Sequence, residues 1–143
     1  MNRDEERAIE WDCAKALNQF YIFVDGGNYA EAADMYTEDG FWTVGDTELH
    51  GRQAIFDSLR IGLPKVIVQH LLQNIVVDVI DEDHADAVLY VAIYRYDKAD
   101  VTNGTVPIIG PWSVGHQNVK MVRTNKCWKV SRRDIHHRLL RAE

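Results

Sequence analysis

The chain is short of cysteine, proline and long apolar runs, and each shortage excludes a class of protein. Its two cysteines, Cys13 and Cys127, form neither a CxxC pair nor a zinc-binding spacing. The sequence therefore predicts no disulfide framework and suits a reducing, cytoplasmic compartment. With only 3 prolines and no linker, one domain is expected over residues 1–143. No apolar stretch approaches the roughly 20 residues of a membrane-spanning helix, so no membrane partner is expected.

Basic charge is also scarce. The 16 Lys and Arg side chains are outnumbered by 22 Asp and Glu, for a formal net charge of −6. Nucleic-acid binders usually present a basic face, so no nucleic-acid partner is expected. The one basic cluster, residues 132–141, is interpreted as a solvated face or a subunit contact. Arg95 and Arg132 are likewise placed at the surface or an interface.

Motifs that hold cofactors or metals are missing as well. HExxH, GxSxG, GxGxxG and Walker patterns do not occur, so protease, esterase, dinucleotide-binding and nucleotide-hydrolase functions lack support. His136 and His137 would lie on opposite faces of an extended strand, which argues against a two-histidine metal site. The sequence predicts neither a metal nor an organic cofactor.

The first half of the chain has helical patterning. Apolar residues recur at helical spacing from Ile9 to Val24, which predicts a first helix of about five turns. A capping-box pattern at Asn28 starts a short second helix, expected to reach Tyr36. A short strand and a third helix are then predicted, at 41–44 and 52–63.

The second half is rich in Val, Ile, Tyr and Trp, separated by turn residues. Four strands are predicted there, at 66–80, 86–97, 112–123 and 127–136. Helices followed by long antiparallel strands indicate an α+β fold, with the helices on one face of a curved sheet. Between residues 70 and 80, apolar side chains fall on both strand parities, which predicts that both sheet faces are covered. Since the helices can cover only one face, a homo-oligomer is expected.

Asp25 and His70 are the residues whose types point to chemistry. Asp25 ends the first helix, and His70 opens an apolar strand. A histidine held by a carboxylate is a general base that needs no cofactor. A buried Asp25 would in turn need a donor such as the imidazole N–H. The alternative is that Asp25 caps a turn and His70 is an ordinary histidine at a strand end.

The order and spacing of several short motifs resemble the SnoaL-like branch of the nuclear transport factor 2-like superfamily. The motifs span nearly the whole chain: YIFVD at 21–25, MYTEDGFW at 35–42, LHGRQAI at 49–55, HLLQN at 70–74 and CWKV at 127–130. Members fold as a cone-shaped α+β barrel, in which a curved antiparallel sheet wraps around a pocket that three N-terminal helices close. The resemblance implies the same fold here.

The resemblance also implies roles for individual residues. Asp25 and His70 fall where scytalone dehydratase, hexachlorocyclohexane dehydrochlorinase and bile-acid 7α-dehydratase, all lyases, carry an Asp–His dyad. Substrate-facing pocket walls are implied at Phe20, Tyr21, Trp42 and Leu63, with the alternative that each is an ordinary core residue. The bile-acid enzyme has a tyrosine where this chain has Phe20, and scytalone dehydratase has a second histidine near Ala92. The resemblance therefore supports a base more firmly than a particular elimination.

Four further polar residues are candidates for binding substrate. Tyr94 and Tyr96 share a strand parity and either aim their hydroxyls inward, as acids or oxyanion donors, or lie at the rim. His116 and Gln117 cannot both face inward, because strand side chains alternate. The resemblance favours Gln117, whereas chemistry alone favours His116.

The leading hypothesis is a cofactor-independent lyase or isomerase, of the dehydratase or polyketide-cyclase type. His70 would take a proton from carbon on a small apolar cyclic or aromatic substrate, while Asp25 orients the imidazole. The alternatives are a non-catalytic small-ligand-binding protein with the same cone, or the small subunit of a ring-hydroxylating dioxygenase. Because the dehydratase-like relatives tend towards trimers, the oligomer is expected to be a trimer or a dimer.

Overall fold

The structure, a computed structural model, describes residues 1–62, 66–97 and 104–142. The helices in these ranges are α1 Arg3–Asp25, α2 Tyr29–Ala33 and α3 Arg52–Gly62. The strands are β1 Tyr36–Val44, β2 Thr47–His50, β3 Ile67–Val79, β4 His84–Tyr96, β5 Ser113–Thr124 and β6 Cys127–Leu140. Helices thus precede long strands, and the predicted α+β class is confirmed.

Helix α1 begins at a capping box and buries one face. The Asn2 side chain accepts hydrogen bonds from two backbone N–H groups of the first turn, and Glu5 accepts one from the Asn2 backbone. The apolar stripe, which includes the fully buried Cys13 and Leu17, packs the helix against β3. The capping box predicted at Asn28 is wrong, because the Asn28 side chain makes no capping hydrogen bond.

The strands form one curved six-stranded sheet in the order β2-β1-β6-β5-β4-β3. All neighbouring strands are antiparallel except β1 and β6, which are parallel. Strand β6 forms a hairpin with β5 and lies between β5 and β1. The sheet is open, with β2 and β3 at its edges. The predicted curved sheet with helices closing a pocket is confirmed, and its antiparallel pairing differs from the expectation only at β1 and β6.

Strand β1 begins earlier than the sequence indicates. Tyr36, expected in the second helix, is the first residue of β1 and pairs with Val130. The Tyr36 carbonyl accepts hydrogen bonds from Arg52 Nε and Nη2, at 3.1 and 2.6 Å. These two hydrogen bonds connect the first residue of α3 to the first residue of β1. Strand β2 has no counterpart among the predicted elements.

A bulge at Asn74 explains much of the apolar character of both parities in β3. The register with β4 shifts between Gln73 and Val76, and Asn74 has a φ of 53°. His70 and Leu72 are partly buried before the bulge. After it, partial burial moves to the other parity: Ile75, Val77 and Val79. One inward face therefore uses both parities.

Part of the outward face remains apolar and uncovered. Leu71 and Tyr90 are 46% and 54% exposed there. Exposed apolar surface of this kind is common at contacts between subunits. This surface suits the predicted homo-oligomer, which stays a prediction.

Replacing Asn74 by Ala is expected to lower the free energy of unfolding by about 1 kcal/mol, because a Cβ disfavours the left-handed backbone that asparagine tolerates. Asn74→Gly is the control and should leave stability within about 0.5 kcal/mol of the wild type. Urea denaturation followed by circular dichroism measures both. Equal stability of the two variants would show that this backbone conformation carries no strain.

Candidate active site

A cavity of about 280 Å³ lies between α1, α3 and the inner face of the sheet. Its apolar walls include Val24, Leu59, Val68, Ile93 and Ile135. Three of the residues expected as pocket walls also line it: Phe20, Tyr21 and Trp42. Leu63, the fourth, lies outside the described residues. The cavity is thus a mainly apolar and aromatic space with a few polar groups, the usual composition of a small-molecule site.

The last residue of α1 meets the fourth residue of β3 at this cavity. The Asp25 carboxylate accepts two hydrogen bonds from His70, one from ring Nδ1 at 2.6 Å and one from the backbone N–H at 2.8 Å. Their side chains are only 19% and 11% exposed. Because an ionised carboxylate can only accept, Nδ1 carries the proton, and Nε2 of a neutral ring is an acceptor.

The His70 ring is held on a second side by Tyr21. The two rings stack with centroids 4.4 Å apart and planes inclined by 29°. His70 itself lines the cavity. With Nδ1 engaged by Asp25, Nε2 is the nitrogen left for a bound molecule. The sequence therefore anticipated both residues of this pair, and the structure brings them into contact.

Behind the cavity wall lies a buried hydrogen-bond chain. Arg133 donates from Nη1 to Gln117 Oε1, and Gln117 Nε2 donates to the Tyr21 hydroxyl. Arg133 also donates from Nε to the Tyr36 hydroxyl, at 2.8 Å. Since a guanidinium is a donor only, it orients the Gln117 amide with its oxygen towards Arg133 and its nitrogen towards Tyr21.

Arg133 is a cation without a carboxylate partner among the described residues. It is 0% exposed, and its guanidinium lies 4.4 Å from the Phe20 ring centroid and 5.4 Å from that of Tyr21. Its Nη2 has no hydrogen-bond partner within the described part of the chain. Burial raises the pKa of the Tyr36 hydroxyl to about 12, although the Arg133 charge opposes that rise.

The expectation that Arg133 belongs to a solvated cluster is wrong, and a bulge is the reason. Met121 of β5 pairs with Val130 of β6. The residue before it in β5, Lys120, pairs with Arg132, so β6 has one extra residue between the two pairs. The extra residue on β6 reverses its parity. Inward positions change from Trp128 and Val130 to odd-numbered residues, beginning with Arg133. Simple alternation from Trp128 would have pointed Arg133 outward.

The remaining predicted binding residues divide between the two faces of the sheet. Gln117 is buried and lines the cavity, as the resemblance favoured. His116 instead stacks on His136, with ring centroids 4.7 Å apart, and does not line the cavity. Tyr94 and Tyr96 line a separate hollow beside residues 104–110. Of the two placements left open for these tyrosines, inward or at the rim, the inward one is not observed.

Arg95 occupies the inward position between those tyrosines. It lines both the cavity and the hollow beside residues 104–110, and its side chain is 27% exposed, so it lies at the edge of the cavity instead of fully at the expected surface or interface. The signal was present in the sequence, because Leu89, Val91 and Ile93 are apolar at the same strand parity. On β6, His137 also lines the cavity.

His137 is tied to the sheet by a serine. Its Nδ1 lies 2.6 Å from the hydroxyl oxygen of Ser113, which is 2% exposed. Partial burial lowers the pKa of the His137 imidazole, so the neutral ring is favoured. The buried Ser113 hydroxyl needs an acceptor, and Nδ1 provides it. The His137 proton then lies on Nε2, available as a donor at the cavity.

Two absences apply to residues 1–62, 66–97 and 104–142. No three His, Cys, Asp or Glu side chains gather there as metal ligands. None of the helices in those ranges combines the length and hydropathy needed to cross a membrane.

The open curved sheet, the three helices and the cavity between them define a cone-type α+β domain. The chain belongs to the SnoaL-like domain family, whose pattern matches residues 5–134. No curated protein sequence matches it significantly.

Solved structures share the fold at low sequence identity. A variant of Rv3472 from Mycobacterium tuberculosis, a protein of unknown function, is 17% identical with a TM-score of 0.82, covering 98% of this chain and 78% of its own. A candidate scytalone dehydratase from Novosphingobium aromaticivorans is 18% identical with a TM-score of 0.82, covering 96% and 89%. A type 2 hexachlorocyclohexane dehydrochlorinase is 14% identical with a TM-score of 0.79, covering 98% and 92%. At these identities the likeness shows the fold alone.

Proposed function

We propose that this protein is a cofactor-independent lyase or isomerase that removes a proton from carbon on a small cyclic or aromatic substrate. His70 is the general base and Asp25 orients it. The observation that carries the proposal is the two-point contact of Asp25 with the ring and the backbone of His70, at 2.6 and 2.8 Å, on the wall of an apolar cavity. Membership of the SnoaL-like family and the dehydratase-type structural neighbours support the same kind of chemistry.

The contact assigns a distinct task to each atom. Asp25 holds the proton on Nδ1, so that Nε2 presents its lone pair to the substrate. When Nε2 takes the proton, the ring becomes an imidazolium directly beside the carboxylate, which stabilises that charge. The bond to the backbone N–H fixes the carboxylate in position. No metal is needed for this step.

Tyr21 is the group that assists the negative charge left on the substrate. Its oxygen already accepts a hydrogen bond from Gln117, whose amide is oriented by Arg133. The Tyr21 proton is therefore directed elsewhere, and the cavity that Tyr21 lines offers a place for an acceptor. A substrate oxygen that becomes negative, or a departing hydroxide, would accept this proton or hydrogen bond.

The lining of the cavity supports a flat, largely apolar substrate. Phe20 and Trp42 supply aromatic walls, while Val24, Leu59 and Val68 supply aliphatic ones. Such walls exclude water from a developing carbanion and strengthen the charged interactions inside. About 280 Å³ is at the lower end of the range of small-molecule sites.

Proton removal can be tested before the natural substrate is known. Small bicyclic ketones such as 2-tetralone are incubated with the protein in D₂O, and mass spectrometry measures the exchange of carbon-bound hydrogen. We expect exchange faster than in buffer, saturating with ketone concentration. Saturable binding without faster exchange across a panel of such ketones would contradict the proposal and favour the ligand-binding alternative.

Replacing Tyr21 by Phe is expected to slow this exchange about tenfold, the equivalent of one neutral hydrogen bond. The His70 stacking partner is retained, so the effect isolates the hydroxyl. Tyr29→Phe is the matched control, because it removes the same atom from a tyrosine that does not line the cavity. An exchange rate for Tyr21→Phe equal to that of the control would remove Tyr21 from the mechanism.

A further inference from the structure

The cavity has a charge opposite in sign to that of the whole protein. Arg95 is the one fixed charge among its described lining residues. Directly behind the wall lies Arg133, buried and without a carboxylate partner in the described ranges. Asp25 is engaged by His70, and Asp97, which pairs with Arg95, is 61% exposed. In a chain with a formal net charge of −6, the fixed charges nearest the cavity are therefore the cations Arg95 and Arg133.

Arg95 is held with part of its hydrogen-bonding edge unused. Its guanidinium lies 4.8 Å from the Trp112 ring centroid, and Nε donates to Asp97 at 2.7 Å. These two contacts orient the planar group. The structure gives Nη1 and Nη2 no hydrogen-bond partner among the described residues. Two parallel N–H groups in this position match the two oxygens of a carboxylate.

Arg132 shows the same arrangement in its completed form. Its guanidinium lies 4.8 Å from the Phe41 ring centroid, and it too contacts the aspartate two residues later, Asp134. However, Arg132 uses both Nε and Nη2 on that carboxylate and lies outside the cavity. Arg132 thus uses two of its nitrogens on Asp134, whereas Arg95 uses only Nε on Asp97 and keeps its Nη1 and Nη2 groups for another acceptor.

The position of Arg95 sets its distance from the base. His70 pairs with Ile93 across the sheet, and Arg95 is the next inward residue along β4. Two residues of strand span about 7 Å. His137, which presents Nε2–H to the same cavity, supplies a second donor for an anion.

We infer that the substrate of this cavity carries a carboxylate, bound end-on by Nη1 and Nη2 of Arg95 with help from His137, while its apolar body extends to His70. The inference deepens the proposed function and rests on it only in taking the cavity beside His70 as the substrate site. The substrate class is therefore a small cyclic or aromatic carboxylic acid. The carboxylate-binding residue and the base are offset by two residues, about 7 Å of backbone, along neighbouring strands.

Isothermal titration calorimetry with a matched pair of ligands tests the inference. At pH 7, 2-naphthoate is expected to bind the wild type at least about tenfold more tightly than 2-naphthalenemethanol, because hydrogen bonds to charged groups are the stronger kind. Arg95→Met should reduce that preference to within about twofold, whereas Arg132→Met should retain it. Asp97→Asn, which removes the competing carboxylate, should tighten naphthoate binding and leave the alcohol unchanged.

Three results would overturn the inference: no naphthoate binding at millimolar concentration, no preference in the wild type, or an undiminished preference in a folded Arg95→Met variant. A weaker naphthoate affinity in Asp97→Asn would count against the orientation described for Arg95. The outcome is separable from the proposed function, because His70→Gln should keep the carboxylate preference. If ketone exchange fails while an Arg95-dependent preference persists, the catalytic proposal falls and the binding inference stands.

Discussion

Replacing Asp25 by Asn is expected to slow carbon-hydrogen exchange by about 10²–10⁴-fold, the usual contribution of a general base. The Asn side chain can still accept the His70 backbone N–H through its oxygen. Its NH₂ group then faces Nδ1 as a donor and pushes the ring proton to Nε2. The nitrogen facing the cavity would thus lose its lone pair while the fold remains. His70→Gln, which removes the imidazole, should cause a loss of similar size.

The chain contains a matched control for this pair. His84, the first residue of β4, contacts Asp81 in the preceding turn through Nδ1 at 2.8 Å, and both side chains are more than half exposed. Asp81→Asn and His84→Gln remove an Asp–His contact of similar length away from the cavity, and exchange should be unchanged. Circular dichroism establishes that each variant is folded. Full activity in either folded cavity variant would refute the assignment of His70 as base.

The second large effect concerns stability. Replacing Arg133 by Ala is expected to lower the free energy of unfolding by about 2–5 kcal/mol, the range for truncating large buried side chains. The change removes the packing of the guanidinium against Phe20 and leaves Gln117 Oε1 without its donor. Urea denaturation of the wild type and the variant measures the difference.

Two further variants separate packing from charge. Arg133→Met restores most of the lost volume without the cation. We expect it to recover more than half of the loss, because a buried charge without a carboxylate partner contributes little net stability. The exposed Arg132→Ala should stay within about 0.5 kcal/mol of the wild type. Arg133→Ala that is as stable as Arg132→Ala would contradict the buried position of Arg133.

Much of the architecture could be predicted from periodicity. Residue patterns placed α3, β3, β4 and β5 to within two residues of their observed ends, whereas α1 begins at Arg3, before the patterned Ile9, and β6 continues to Leu140, beyond the predicted 136. The family resemblance placed Asp25, His70 and Gln117 at one site. In the structure His70 and Gln117 line the cavity, and Asp25 is hydrogen-bonded to His70. These predictions rest on local residue patterns and on the order of motifs, and both can be read from the sequence without knowledge of tertiary contacts.

What could not be predicted depends on single extra residues in strands. The bulges at Asn74 and after Val130 each reverse which parity faces inward. The bulge at Asn74 gives β3 apolar residues at both strand parities. The bulge after Val130 turns Arg133 inward, although in sequence it lies among exposed basic residues. No local motif marks either position, since a bulge is fixed by pairing with a distant strand. For Tyr94 and Tyr96 the parity of Ile93, which lines the cavity, already indicates the outward face.

The position of β6 between β1 and β5 bears on how the protein is made. Tyr36 and Arg133 are in contact, yet they lie 97 residues apart along the chain. The helices and the first five strands leave the ribosome before β6, with Tyr36 and Gln117 lacking the guanidinium that holds them. Assembly of the cavity must therefore await a late segment of the nascent polypeptide, and such long-range closure slows folding. A chain released before β6 has emerged would carry Asp25 and His70 but no finished chamber around them.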